Sequence, residues 1–203
     1  MAERFEKEGY RVSKVSSNTL GALFNVHMVP DYIYDPHMPY EDKIVSFNHL
    51  LNSIVEDNQP DILLLEVEEA ILPYNNRITN HFGVIPTIIS KSAQTDVSIL
   101  SLYYSDYDKE YLDRLRTFCR YALNAEVNYI NMTNETMFVK EINYTDPLHY
   151  VSVDRDILLN SIGSNFKDYD CMFFHTYDLV SVDAVYRDIL CKLSQNEDVV
   201  ITG

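Results

Sequence analysis

Four apolar residues closed by an acid, Ile62-Leu63-Leu64-Leu65-Glu66, form the clearest pattern of positioned chemistry in this chain. A buried strand that ends on a carboxylate can aim it at a metal ion, or at the metal's water, beside a nucleotide phosphate. Glu68 and Glu69 follow at once, and then Ala70-Ile71-Leu72-Pro73-Tyr74-Asn75-Asn76-Arg77. In open α/β sheets ligands sit in the crevice beyond such strand ends. Glu66, Glu68, Glu69, Tyr74 and Asn75 are therefore the candidate lining of a ligand or partner crevice. The plainer reading is that buried strands often end in an acid, and that Glu68 and Glu69 begin a solvated loop. A second candidate is the tyrosine-rich segment Leu102-Tyr103-Tyr104-Ser105-Asp106-Tyr107-Asp108. Tyrosines offer broad amphipathic contact suited to a peptide or protein, so Tyr103 and Tyr104 join the crevice if strand order follows the sequence. Aromatic packing plus a helix cap is the competing account.

Other chemistries lack their parts. Phosphate-cradling loops need several glycines close together, so that backbone N–H groups can approach the phosphates. The five glycines, Gly9, Gly21, Gly83, Gly163 and Gly203, are scattered, and neither G-x-G-x-x-G nor G-x-x-x-x-G-K-[ST] occurs. His27, Asp31, Asp35 and His37 share one loop, but no histidine pair or cysteine has zinc spacing, so no metal and no cofactor is expected. His49, near the inner stripe of a helix, reads as a hydrogen-bonded core histidine. The three cysteines, Cys119, Cys171 and Cys191, sit in apolar stretches without C-x-x-C spacing and read as buried, reduced thiols. There is no G-x-S-x-G elbow. No catalytic residue can be named, which weighs against an enzyme.

Sixteen Lys and Arg stand against 31 Asp and Glu, a net charge of −15. Such a field repels phosphate backbones, which excludes nucleic acid as a partner, and attracts a basic protein or peptide. A homodimer is compatible with it. No apolar run exceeds four residues, as at Ile62 to Leu65, too short to span a membrane, and the start Met1-Ala2-Glu3-Arg4-Phe5 has no signal-peptide core. A cytoplasmic location is expected, so the sequons at Asn131, Asn134 and Asn143 would carry no glycan.

The elements that must position these residues follow from periodicity. Ala2 to Glu8 reads as a helix closed by Gly9, and Tyr10 to Val15 as a strand. Ser16 to Tyr40 is irregular, with Pro30, Pro36 and Pro39 and a short helix near Leu20 to Asn25. Glu41 to Asp57 is the clearest helix, with Ile44, Phe47, Leu51 and Ile54 on one stripe. The run from Asp61 to Val67 then reads as a strand buried on both faces, the mark of a parallel sheet. A short helix within Phe82 to Gln94 takes Pro86 as its first residue. A strand over Val97 to Tyr103, a helix over Asp108 to Asn124 and a strand over Val127 to Ile130 continue the alternation. After a polar stretch, Tyr150 to Val153, Asp154 to Ile162, Tyr169 to His175 and Val182 to Leu193 form a second βαβα run. Val199 to Ile201 reads as a closing strand. The alternation predicts an α/β fold, a mainly parallel sheet with helices on both faces. A boundary near 133–147 divides it into residues 1–135 and a smaller βαβα extension, 136–203, able to join the same sheet.

Several blocks resemble a known family. They are Lys7-Glu8-Gly9-Tyr10-Arg11-Val12-Ser13-Lys14-Val15, then Lys43-Ile44-Val45-Ser46-Phe47-Asn48-His49 through Gln59-Pro60-Asp61-Ile62-Leu63-Leu64-Leu65-Glu66, then Phe82-Gly83-Val84-Ile85, then Asp96-Val97-Ser98-Ile99-Leu100-Ser101-Leu102-Tyr103-Tyr104. In this order they resemble the peptide maturation system proteins encoded with radical-SAM enzymes in bacterial natural-product clusters, over roughly residues 1–135. The resemblance implies a degenerate P-loop-NTPase-like, Rossmann-like domain. Family members are longer at the front and carry a phosphate loop before the helix in which this chain begins. They also tend to glycine where this chain has Val67-Glu68-Glu69-Ala70. Both departures fall where a nucleotide would lie, so the expectation is either a fragment or a lost nucleotide role. Glu66 is the one Walker-B-like match that carries over. The resemblance implies an accessory protein that binds a precursor peptide or a modifying enzyme. The alternative is a nucleotide-dependent enzyme whose phosphate loop lies in a missing N-terminal segment or another chain.

Overall fold

The computed structural model describes residues 1–24, 26–74, 76, 78–137 and 149–196. Two compact units divide the chain, Met1–Gln94 and Thr95–Gly203. Each is an α/β unit built on a parallel three-stranded sheet, as the alternation of elements predicts.

In the first unit, helix α1 (Ala2–Lys7) leads through Gly9, at φ +94°, into β1 (Val12–Ser16). The positive φ suits glycine, which turns the chain out of the helix without steric cost. Short 3-10 helices at Thr19–Phe24 and Asp31–Ile33 flank β2 (His27–Met28), a two-residue strand parallel to β1. Helix α2 (Tyr40–Asn58) returns the chain to β3 (Ile62–Glu66), also parallel to β1, which gives the order β2-β1-β3. Helix α3 (Val84–Ser92) closes the unit. Pro86 is its third residue, inside the first turn, where a backbone N–H has no helical acceptor to lose.

Alternation along β1 explains why helices cover both faces of this sheet. Lys14 points to α1, where its Nζ meets Glu6 at 2.8 Å, whereas Val15 points the other way into the core beneath α2. That core joins Val15, Val29 and Ile33 to Phe47, Leu51 and Ile54 of α2 and Ile85, Ile88 and Ile89 of α3. Burying a side chain such as Phe47 contributes about 2–3 kcal/mol. Lys43 is the unexpected member of the α2 stripe. It is buried, and its ammonium donates to the Ile33 carbonyl at 2.8 Å, which fastens the loop after β2 to the helix. His49 is exposed, not a core histidine, because two residues past Phe47 a helix has turned well away from its inner face. β3 lies at the edge of its own sheet and its four apolar residues are half-buried, so the run is less enclosed than its composition suggested. At the opposite end from Glu66, Arg11 grips Asp61 through its backbone N–H at 2.8 Å, Nε at 3.2 Å and Nη2 at 2.9 Å.

In the second unit β4 (Ser98–Leu102), β5 (Val127–Met132) and β8 (Met172–Phe174) form the parallel sheet, with β5 central and almost wholly buried. Helices α4 (Lys109–Ala122), α5 (Arg155–Asn165) and α6 (Leu179–Asn196) supply Leu112, Leu115, Leu158, Val185 and Ile189 to its core. Asp108 caps α4, accepting from the Tyr111 N–H at 2.6 Å. Since β8 pairs with β5, residues on both sides of the boundary read near 133–147 share one sheet. The Tyr150 segment corrects the second βαβα run. It is β7 (Tyr150–Ser152), paired antiparallel with β6 (Glu135–Met137), outside the parallel sheet. All three β7 residues are exposed. The strand read at Val199 to Ile201 lies outside the described residues, as does Asn143.

Candidate functional site

The carboxyl ends of β1, β2 and β3 lie side by side because all three strands are parallel, and the loops leaving them are tied together by side chains. Ser16 and Glu66 are register partners at the two strand ends. The buried Ser16 hydroxyl donates to Glu66 Oε2 at 2.6 Å, and accepts from the Asn18 N–H at 3.0 Å. Two residues further along each loop the link repeats. Ser17 Oγ accepts from the Glu68 N–H at 2.9 Å, and Asn18 Nδ2 donates to Glu68 Oε1 at 2.6 Å. From the loop after β2, the Tyr34 hydroxyl donates to Glu69 Oε1 at 2.5 Å. Burial and the adjacent Glu69 carboxylate push the Tyr34 phenol well above its ordinary range, so it stays a donor at any physiological pH. Glu69 Oε2 is buried without a hydrogen-bond partner among the described residues.

The segments that follow the three strands also expose large apolar side chains. Leu20 and Leu23 stand on the loop after β1, Tyr34 on the loop after β2, and Tyr74, Phe82 and Val84 on the segment after β3. Leu23 and Phe82 are 76% and 71% exposed.

The segment after β3 has an unusual backbone. Asn80, His81, Phe82 and Gly83 have φ of 47°, 49°, 54° and 71°, so four successive residues lie in the left-handed region. The Phe82 N–H bonds the Thr79 carbonyl at 2.7 Å, and Asn80 Nδ2 bonds the Leu72 carbonyl at 2.9 Å. Gly83 is required twice over. Its φ favours glycine, and a Cβ there would stand 2.2 Å from the Ile71 carbonyl oxygen.

Of the sequence-predicted lining, Glu66, Glu68 and Glu69 come together here. Tyr74 lies on the same post-β3 segment, its N–H bonded to the Ile78 carbonyl at 2.9 Å. Asn75 lies outside the described residues. Tyr103 and Tyr104 belong to the second unit, where they follow β4, a strand of another sheet. There Tyr103 packs on Tyr150 with centroids 5.6 Å apart, and the Tyr104 N–H bonds the Glu135 carbonyl at 2.7 Å. Sequence reasoning missed Ser16, Asn18, Tyr34 and Phe82. The proline-rich, aromatic loop was the only signal for Tyr34, and nothing in the pattern marked Phe82 as exposed.

The remaining candidates separate cleanly. His27 is exposed, with a ring nitrogen 3.2 Å from Asn58 Nδ2, and the Asp35 carboxylate accepts from the His37 N–H at 2.8 Å. Among the described residues no group of three or more His, Cys, Asp or Glu side chains is placed to hold a metal. Cys119 and Cys171 are buried, and burial pushes both thiols up to about 11, so neither is a nucleophile at neutral pH. Cys191 corrects the expectation of three buried thiols: it is exposed on α6. Among the described residues no helix is long and apolar enough to cross a membrane.

Fold and site thus define an α/β protein with an acidic and apolar face at the strand ends of its first unit. No family model, no curated protein and no solved structure matches the chain.

Proposed function

We propose that this chain is an accessory, non-catalytic protein of ribosomal peptide natural-product maturation, which holds a precursor peptide or a modifying enzyme. The observation that carries the binding role is the strand-end face of the Met1–Gln94 unit, where exposed Leu23 and Phe82 accompany exposed Glu66 and Glu68. A partner with basic and apolar side chains suits both features, and the −15 net charge draws it in. The setting rests on the resemblance of the sequence blocks to peptide maturation system proteins. Titrating the protein with the co-encoded precursor peptide and modifying enzymes tests the reading. Saturable binding of one of them is expected, and absence of binding to all of them removes it.

A second reading draws on one contact. The Ser16–Glu66 pair fixes an exposed carboxylate at the end of a parallel strand, where a Walker-B-like acid would stand beside a nucleotide. A nucleotide-dependent enzyme with its phosphate loop supplied from elsewhere would use it so. Thermal shift with Mg-ATP and Mg-GTP decides, because a ligand that binds the folded state must raise the midpoint. An unchanged midpoint at millimolar nucleotide counts heavily against this reading.

A further inference from the structure

Phe82 is a bulky, largely exposed side chain on a backbone conformation that disfavours it. A left-handed backbone is unfavourable for any residue with a Cβ, more so for a bulky one, and is tolerated best by Gly, Asn and Asp. Phe82 holds φ +54° and ψ 30° in the middle of the Asn80–Gly83 turn. Strain of this kind is normally offset by burial, yet the ring is 71% exposed and makes no ring contact among the described residues. Glycine at position 83 and the Asn80–Leu72 hydrogen bond hold the turn in place, so the ring is presented to solvent by a fixed backbone.

We propose that Phe82 is the anchor of a docking face that takes up a segment of a partner polypeptide in which basic side chains alternate with large apolar ones. Charge complementarity selects this occupant. Glu66 ends β3 and Glu68 follows it, both exposed and oriented by Ser16 and Asn18, and the turn is tied back to Ile71 and Leu72, three and four residues past Glu68, while Leu23 is exposed on the loop after β1. Aromatic anchors surrounded by weaker polar contacts are the usual source of binding energy in such interfaces. The same carboxylates repel the anionic surface of a lipid bilayer. This inference deepens the partner-holding role proposed above by naming the residue and the chemistry it recognises.

The test uses the full chain and a fluorescein-labelled peptide of alternating lysine and leucine, with lysine–serine and glutamate–leucine peptides as controls. The lysine–leucine peptide should bind most tightly, and more weakly as salt rises. Phe82→Asn should weaken it by about tenfold or more, while its thermal midpoint stays level or rises because asparagine accepts the left-handed backbone. The double variant Glu66→Gln with Glu68→Gln should weaken it too, whereas Glu3→Gln with Glu110→Gln, equal in charge but on helices α1 and α4, should not. Wild-type affinity in Phe82→Asn overturns the proposal, as does equal loss in the two charge variants, or tighter binding to phosphatidylserine vesicles than to the peptide. Capture of co-encoded partners separates this from the broader reading. A partner retained fully by Phe82→Asn overturns the anchor and leaves partner-holding intact. A wild-type protein that captures no co-encoded partner, yet binds the probe in a Phe82-dependent way, supports the anchor and removes the maturation role.

Discussion

The Ser16 hydroxyl donates to the Glu66 carboxylate across 2.6 Å, joining the ends of two neighbouring parallel strands fifty residues apart in sequence. Because Ser16 also accepts from the Asn18 N–H, one buried oxygen sets both the strand-end carboxylate and the first turn of the loop that follows. Ser16→Ala should therefore lower stability by about 1 kcal/mol and loosen both loops. Urea denaturation reads the first effect, and hydrogen exchange at the Asn18 and Glu68 amides reads the second. Unchanged exchange at both amides would show that the pair organises nothing.

Gly83→Ala should be among the more damaging single-methyl changes in the chain. The added Cβ meets the Ile71 carbonyl oxygen at 2.2 Å and stands on a backbone at φ +71°. A loss of about 2–3 kcal/mol is expected from strain and the forced shift of backbone. A thermal midpoint equal to wild type would mean that the turn is not held as described.

Acid should weaken the Arg11–Asp61 clasp in a definite window. Hydrogen bonds from the Arg11 guanidinium and its backbone N–H pull the Asp61 carboxyl down from 3.8 to about 2. A group lowered in the folded state contributes its full stability above its unfolded value, and loses it as pH falls from there through about 2. Both side chains are open to solvent, so the effect is small and screened by salt. Comparing Asp61→Asn with wild type along an acid titration checks it: the variant should lose less stability than wild type over that window. Identical acid slopes would count against the clasp.

Native alkylation with iodoacetamide should modify Cys191 alone. Cys119 and Cys171 are buried, with thiols pushed up to about 11, and only the thiolate reacts. Peptide mapping reads the label, and rapid modification of Cys119 before unfolding would contradict the packing of α4.

The long periodic elements were legible because their patterns are local. The stripe of Phe47, Leu51 and Ile54 gives α2 within a residue at either end, and Asp108 announces the start of α4. The apolar run before Glu66 likewise gives β3 and its parallel pairing. Pairing between distant segments was another matter. β2 has two residues and no pattern, and the partner of Tyr150 across a hairpin cannot be read from alternation in three residues. Helical geometry misled at His49 because the histidine adjoins a core stripe without sharing its direction. The site was half legible for the same reason. A carboxylate at the end of an apolar strand declares itself, whereas Ser16 and Tyr34, its neighbours in space, are fixed by register and loop path. Phe82 fell at the edge of the stretch read to contain a short helix, since sequence shows the aromatic residue but not the sign of its φ.

Backbone amide shift mapping of the labelled protein, titrated with the alternating lysine–leucine peptide, tests the central claim most directly. Shifts concentrated at Ser16 to Leu20, Glu66 to Glu69 and Phe82 to Val84 are the predicted result. Shifts confined to residues 95–196, or none at saturating peptide, would contradict it.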